Sequence, residues 1–186
     1  IKFDILKNKI PINQYDKIFD MDKFSKIIIL SLISGEYHPL GYRNMRFYFN
    51  PFNQKLEPIP TDWGELSVRK IDNINQLENE LDLLINCENK CNRQDYPLYD
   101  RIFKNDVFIK KFILNLKNFQ TIVNDIKVNL QKLCKYQNQK CYENYDYITL
   151  EKNLKTLTDS INSHKLFNKA YVNTKKFDNK IENNIK

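Results

Sequence analysis

His38, Asn44 and Asp62 are the side chains whose types and order could do chemistry. His38 stands in GEYHPLGYRN, Asn44 follows it by six positions, and Asp62 lies in PIPTDWGE, beyond a stretch that reads as a hairpin. A polar group on a loop, an Asn shortly after it and an Asp past the next hairpin is an order that phosphoryl transfer uses. One residue orients or deprotonates the attacking hydroxyl. The Asn and Asp oxygens hold Mg²⁺ on the phosphates, because a small hard cation takes oxygen ligands. The same residue types also populate plain turns, where Asn and Asp bond to their own backbone, so spacing alone leaves both explanations open.

The elements that must position these residues lie on either side. Asp20 or Asp22 can cap a helix from Lys23 to about Ser34, since a carboxylate there accepts the orphan backbone donors of the first turn. Phe24, Ile27, Ile28, Ile29, Leu30, Leu32 and Ile33 make that helix apolar on nearly every side, so it should be central and buried, and Gly35 should end it. Residues 35–64 then hold all three glycines, four of the six prolines, the only Trp and one of the two His. Within them MRFYF at 45–49 and KLEPI at 55–59 flank NPFNQ, which predicts a β-hairpin. Loops held on such a scaffold are where chemistry usually sits.

From about Ile74 helical periodicity returns. Leu77, Leu81, Leu84 and Ile85 form a stripe on an acidic helix that Asp72 or Asn73 could cap, and a loop with Pro97 follows. Three further stripes predict three packing helices: Phe108, Phe112, Leu116 and Phe119; Ile122, Ile126, Leu130 and Leu133; Leu150, Leu154, Leu157 and Ile161. The expected fold class is therefore α+β, mostly helical, with one domain over 1–172 and a polar tail, NTKKFDNKIENNIK at 173–186, that frays.

Composition narrows the classes. Of 186 residues 41% are hydrophobic and 13% aromatic, enough for a core, and only three are Gly, which argues against Rossmann and Walker phosphate loops. The net charge of +7 invites an anionic partner, but it is spread as +3 over 1–70, −5 over 71–100, +5 over 101–150 and +4 over 151–186. That distribution fits a solvated basic face better than a nucleic-acid footprint. The longest apolar run, Ile27 to Ile33, is far too short to span a bilayer. Cys87, Cys91, Cys134 and Cys141 lack the tight spacing of a zinc site; disulfides and buried thiols both remain open. His164 reads as a surface residue, and Tyr42, Tyr48 and Phe49 as loop and strand aromatics in place of base-stacking ones. Trp63 could stack on an adenine or close an edge of the core.

The run from Asp20 to Glu65 resembles the spore coat protein H (CotH) kinase family. The likeness is most specific in Asn44, Arg46-Phe47-Tyr48, Asn50-Pro51 and Leu56-Glu57-Pro58-Ile59 leading to Asp62, and it covers about a quarter of the chain. It implies an atypical protein-kinase-like large lobe that transfers phosphate from ATP, with Mg²⁺ or Mn²⁺, to a protein Ser or Thr. His38 falls where many members carry the catalytic Asp, Asn44 at the metal-binding Asn and Asp62 at the metal-binding Asp. Two departures stand out: a His at the catalytic position, and Trp63-Gly64 where better-studied members carry a second Asp.

The family's phosphate-binding Lys comes from a strand-rich lobe upstream, and nineteen residues precede Asp20 here, with only Lys7 and Lys9 near the right end. The sequence expectation is a fragment beginning at Ile1 or a chain that has lost nucleotide chemistry. The resemblance also points to the cell envelope or a secreted location. Two rivals stand beside the kinase expectation: a non-catalytic scaffold that binds an envelope protein, and a basic helical nucleic-acid binder.

Overall fold

Asp20 caps the central helix. Its carboxylate accepts the Lys23 N–H at 3.0 Å, and α2 then runs Met21–Ser34 until Gly35 turns the chain at φ 68°. The computed structural model describes residues 10–41, 44–61, 74–85, 98–137, 147–163 and 167; for 74–76, 126–127, 129–137 and 147–148 it describes the backbone alone. Among the described residues there are six helices and one two-stranded antiparallel hairpin. They are α1 (Tyr15–Ile18), α2, β1 (Met45–Asn50), β2 (Lys55–Pro60), α3 (Ile74–Ile85), α4 (Tyr99–Phe103), α5 (Asp106–Gln137) and α6 (Tyr147–Ser163). The mostly helical α+β class is as expected. No helix among the described residues is long and apolar enough to cross a membrane.

α2 packs against α5, α6 and β2. Phe24, Ile28, Ile29, Leu32 and Ile33 are fully buried, whereas Leu30 is 38% exposed, so one flank of the helix reaches the surface. The rings of Phe19, Phe24 and Phe47 lie with centroids 5.6 to 5.8 Å apart and fasten the hairpin to the helix. Two buried amides fix the helix against its neighbours. Asn115 on α5 donates to Asp22 Oδ1 at 3.0 Å and Ser25 Oγ at 2.6 Å, and Asn153 on α6 donates to the Ile33 carbonyl at 2.9 Å. Ile33 is among the last four residues of α2, whose carbonyls have no partner inside the helix.

The structure corrects the helix count. The stripes expected as separate helices at 108–119 and 122–133 belong to one helix of 32 residues. Nothing in residues 120–124 (QTIVN) breaks a helix, and the step from Phe119 to Ile122 keeps helical phase. Among the described side chains past that point, Val123 is buried, at 3%, while Ile122 is 46% exposed. α4 is five residues long, too short for periodicity to announce it. Leu77, Leu81, Leu84, Ile85, Leu154, Leu157 and Ile161 are buried as their stripes require. Asp62, Trp63, the capping Asp72 and Asn73, Cys87, Cys91, Cys141, His164 and the segment 173–186 lie outside the described residues, and Cys134 is described by its backbone alone.

Two carboxylates make the fold acid-sensitive. Hydrogen bonds from Lys23, then Asn50, hold Glu57 below the usual glutamate range against the opposing effect of burial. Burial pushes Asp22 up, but hydrogen bonds from Lys26 and Asn115 and the charges of Lys26 and Lys111 outweigh it, so Asp22 is also lowered. A carboxyl lowered in the folded state contributes stability that is whole above its unfolded value of about 4, and that is lost as pH falls through the folded value. Urea unfolding should therefore show stability falling below about pH 4, less steeply in Glu57→Gln. An identical slope in that variant would take Glu57 out of the account.

Candidate functional site

The hairpin register builds one end of the site. β1 and β2 pair from Met45↔Pro60 to Asn50↔Lys55, so Asn44 and Thr61 face each other where the hairpin opens, and Asp62 is the next residue. The Thr61 hydroxyl donates to the Asn44 carbonyl. Asn44 in turn donates its side-chain Nδ2 to the His38 carbonyl at 3.0 Å. Two residues singled out by sequence, His38 and Asn44, are thereby brought together. Asp62 lies outside the described residues, one position beyond the Thr61 that is bonded to Asn44.

The loop between α2 and β1 is held from several directions. His38–Leu40 form a 3-10 turn with Pro39 in its first positions. The His38 N–H donates to Glu36 Oε1 at 3.1 Å, and the His38 carbonyl also accepts the Gly41 N–H at 3.0 Å. From α4, the Tyr99 hydroxyl donates to the Leu40 carbonyl at 2.9 Å in a buried bond. The Gly41 carbonyl accepts the N–H groups of both Asn44 and Met45, which starts the strand. Pro39, Leu40 and Glu36 are buried, while His38 is exposed. The loop thus stands on a fixed base and offers its imidazole outward.

Sequence reasoning passed over Glu36, Tyr99 and Thr61. Glu36 stands two residues before His38, a local signal that could have been used, because a carboxylate at that spacing can accept a loop N–H. Tyr99 carries no such signal; it acts across 59 positions.

The donor chemistry of Asn44 bears on a metal. With Nδ2 committed to a carbonyl, which can only accept, Oδ1 is the side-chain atom of Asn44 that a cation would meet. Among the described residues no group of three or more His, Cys, Asp or Glu could hold a metal ion. Glu57 does not serve: it is engaged at the turn end of the hairpin by Lys23, Asn50 and Asn53. Three hollows lined by described residues lie between α5 and α6 and beside Arg101.

Gly41 is a sensitive point in this loop. A Cβ there would stand 3.2 Å from the His38 carbonyl oxygen and 3.9 Å from Asn44 Nδ2. Its φ of −63° suits any residue, so Gly41→Ala gains about 0.4–1 kcal/mol from a less flexible unfolded chain, against about 1–3 kcal/mol for crowding a fixed carbonyl. Crowding should win, lowering Tm by roughly 2–4 °C. A Tm at or above that of the unaltered chain would show that the loop yields freely.

No protein-family model, curated protein or solved structure matches this chain.

Proposed function

We propose that this chain forms the large-lobe portion of a CotH-like atypical protein kinase, which transfers phosphate from ATP to a Ser or Thr of a protein. The observation that carries the proposal is the convergence at the open end of the hairpin. The Asn44 amide is bonded to the His38 loop, and Thr61, next to Asp62, is bonded to Asn44. In this reading Asn44 Oδ1 and the Asp62 carboxylate hold Mg²⁺ or Mn²⁺, which when bound neutralises charge on the transferred phosphate. Trp63 would stack on the adenine of a bound nucleotide. The exposed His38 imidazole accepts the proton of the acceptor hydroxyl, a task within reach of a His near neutral pH. Glu36 and Tyr99 do not touch substrate; they fix the loop that carries His38.

The experiment is calorimetric titration of the folded chain with ATP, with and without Mn²⁺, beside Asp62→Asn and His38→Ala. Binding that requires both the metal and Asp62 supports the proposal, as does loss of transfer with retained affinity in His38→Ala. Binding indifferent to Asp62, or no binding at all, overturns it for this chain.

The second reading, a protein-binding scaffold, is favoured by the tip of the hairpin. Phe52 is 96% exposed, yet its N–H is held by Asn50 Oδ1 at 2.9 Å. The amides of Asn50 and Asn53 both turn inward onto Glu57. An exposed ring on a pre-ordered turn is a suitable anchor for a partner's pocket. Here Phe52→Ser should abolish partner capture from an envelope extract while leaving ATP titration unchanged. Affinity for mixed-sequence DNA that falls steeply with salt would instead support the nucleic-acid binder.

A further inference from the structure

α5 has an outer face that none of the roles above uses. Its inner side is spent on the core, where Phe108 and Phe112 are fully buried. Along the outer side, from residue 107 to residue 128, two rows run for about 32 Å. The first is Val107, Leu114, Thr121 and Val128, each seven residues from the next; its aliphatic members are 41%, 50% and 46% exposed, and Thr121 is exposed as well. The second is Lys111, Asn118 and Asp125, all exposed. Taken together the rows step by four and three residues, the spacing that keeps side chains in one line on a helix and lets that line meet another helix. A single exposed aliphatic residue needs no explanation, but a repeat at this spacing is a pattern of recognition.

What fits the face follows from its symmetry. The first row is centred between residues 117 and 118 and the second on Asn118, so both turn about the same point of the helix. A second copy of α5 laid antiparallel across that point sets Val107 beside Val128 of the second copy and Leu114 beside its Thr121. Lys111 then stands against the second copy's Asp125, and two-fold symmetry repeats the pair, so opposite charges meet twice. Lys110, one position earlier, lies within a turn of the same carboxylate. Asn118 meets its own counterpart, and an amide can both donate and accept. Lys117 lies on the flank toward α6, where it lines a hollow. A parallel copy would set Lys111 on Lys111 and Asp125 on Asp125, like charge against like.

We infer that this chain associates with a second copy of itself through the outer face of α5, the two helices paired antiparallel about Asn118. The inference stands apart from the kinase reading and uses none of its residues.

Sedimentation equilibrium of the full chain tests this, under reducing conditions so that cysteine cross-links contribute nothing. A species of twice the 22.4 kDa chain mass should grow with concentration up to about 0.5 mM, where contacts with a Kd of about 1 mM or tighter are detectable. Leu114→Asp, at a half-exposed position, should raise the dissociation constant at least about tenfold with the far-UV helical signal unchanged. Asp125→Lys should weaken the dimer too, and adding Lys111→Asp restores opposite charges in reverse, returning the constant to within about threefold of its starting value. Lys111 also lies by Asp22, so where the double variant loses helical signal the decision rests on Leu114→Asp and Asp125→Lys. A monomer throughout the range overturns the inference. So does a dimer indifferent to Leu114→Asp or Asp125→Lys, or one that the folded double variant fails to restore.

Discussion

Asn44→Ala is expected to abolish manganese-dependent ATP binding, by roughly a hundredfold or more in affinity, with the far-UV helical signal retained. The expectation follows from the two ends of one side chain. Nδ2 holds the His38 carbonyl and Oδ1 is the oxygen available to a cation, so truncation removes a proposed ligand and releases the loop together. Asn44→Asp separates the two roles. It keeps an oxygen for the metal but sets a carboxylate oxygen against the His38 carbonyl, two acceptors with no proton between them. That variant should retain part of its metal affinity and lose thermal stability. ATP affinity unchanged in Asn44→Ala would show that the loop and hairpin meet for structural reasons alone.

Phe24→Ala should give the largest loss of stability, about 3–5 kcal/mol. Phe24 is fully buried, with ring centroids 5.6 Å from both Phe19 and Phe47, so its removal opens a cavity where helix, hairpin and entering chain meet. Against a total of about 5–15 kcal/mol the variant would be marginally folded. Phe52→Ser provides the contrast: the same residue type, 96% exposed, should shift stability by no more than about 0.5 kcal/mol. Urea unfolding of both distinguishes them. A Phe24→Ala cost below about 1 kcal/mol would mean that the hairpin is not secured through this cluster.

Where local chemistry decides the structure, the sequence came close, leaving only Asp20 or Asp22 as the cap of α2. Asp20 and Gly35 bound α2 because capping and left-handed turning are properties of single residues, and the aromatic strand and NPFNQ turn place the hairpin within a residue. Within the candidate site, His38 and Asn44 lie six positions apart and are joined by one hydrogen bond, from the Asn44 amide to the His38 backbone carbonyl. What escaped depends on distance in the chain. Tyr99, Asn115 and Asn153 read locally as ordinary polar positions, yet each is buried and bonded to a residue 59 to 120 positions earlier. The unity of α5 escaped for another reason: its apolar residues fall into two stripes of similar length, and no breaker separates them.

The bond from Asn153 to the Ile33 carbonyl bears on how the chain is made. A ribosome adding about 5–20 residues per second needs on the order of ten seconds to proceed from Ile33 to Asn153. Until α5 and α6 have followed, α2 lacks two of the elements it packs against. The loop that carries His38 is synthesised early, and the hydroxyl that anchors it from α4, that of Tyr99, follows Leu40 by 59 positions.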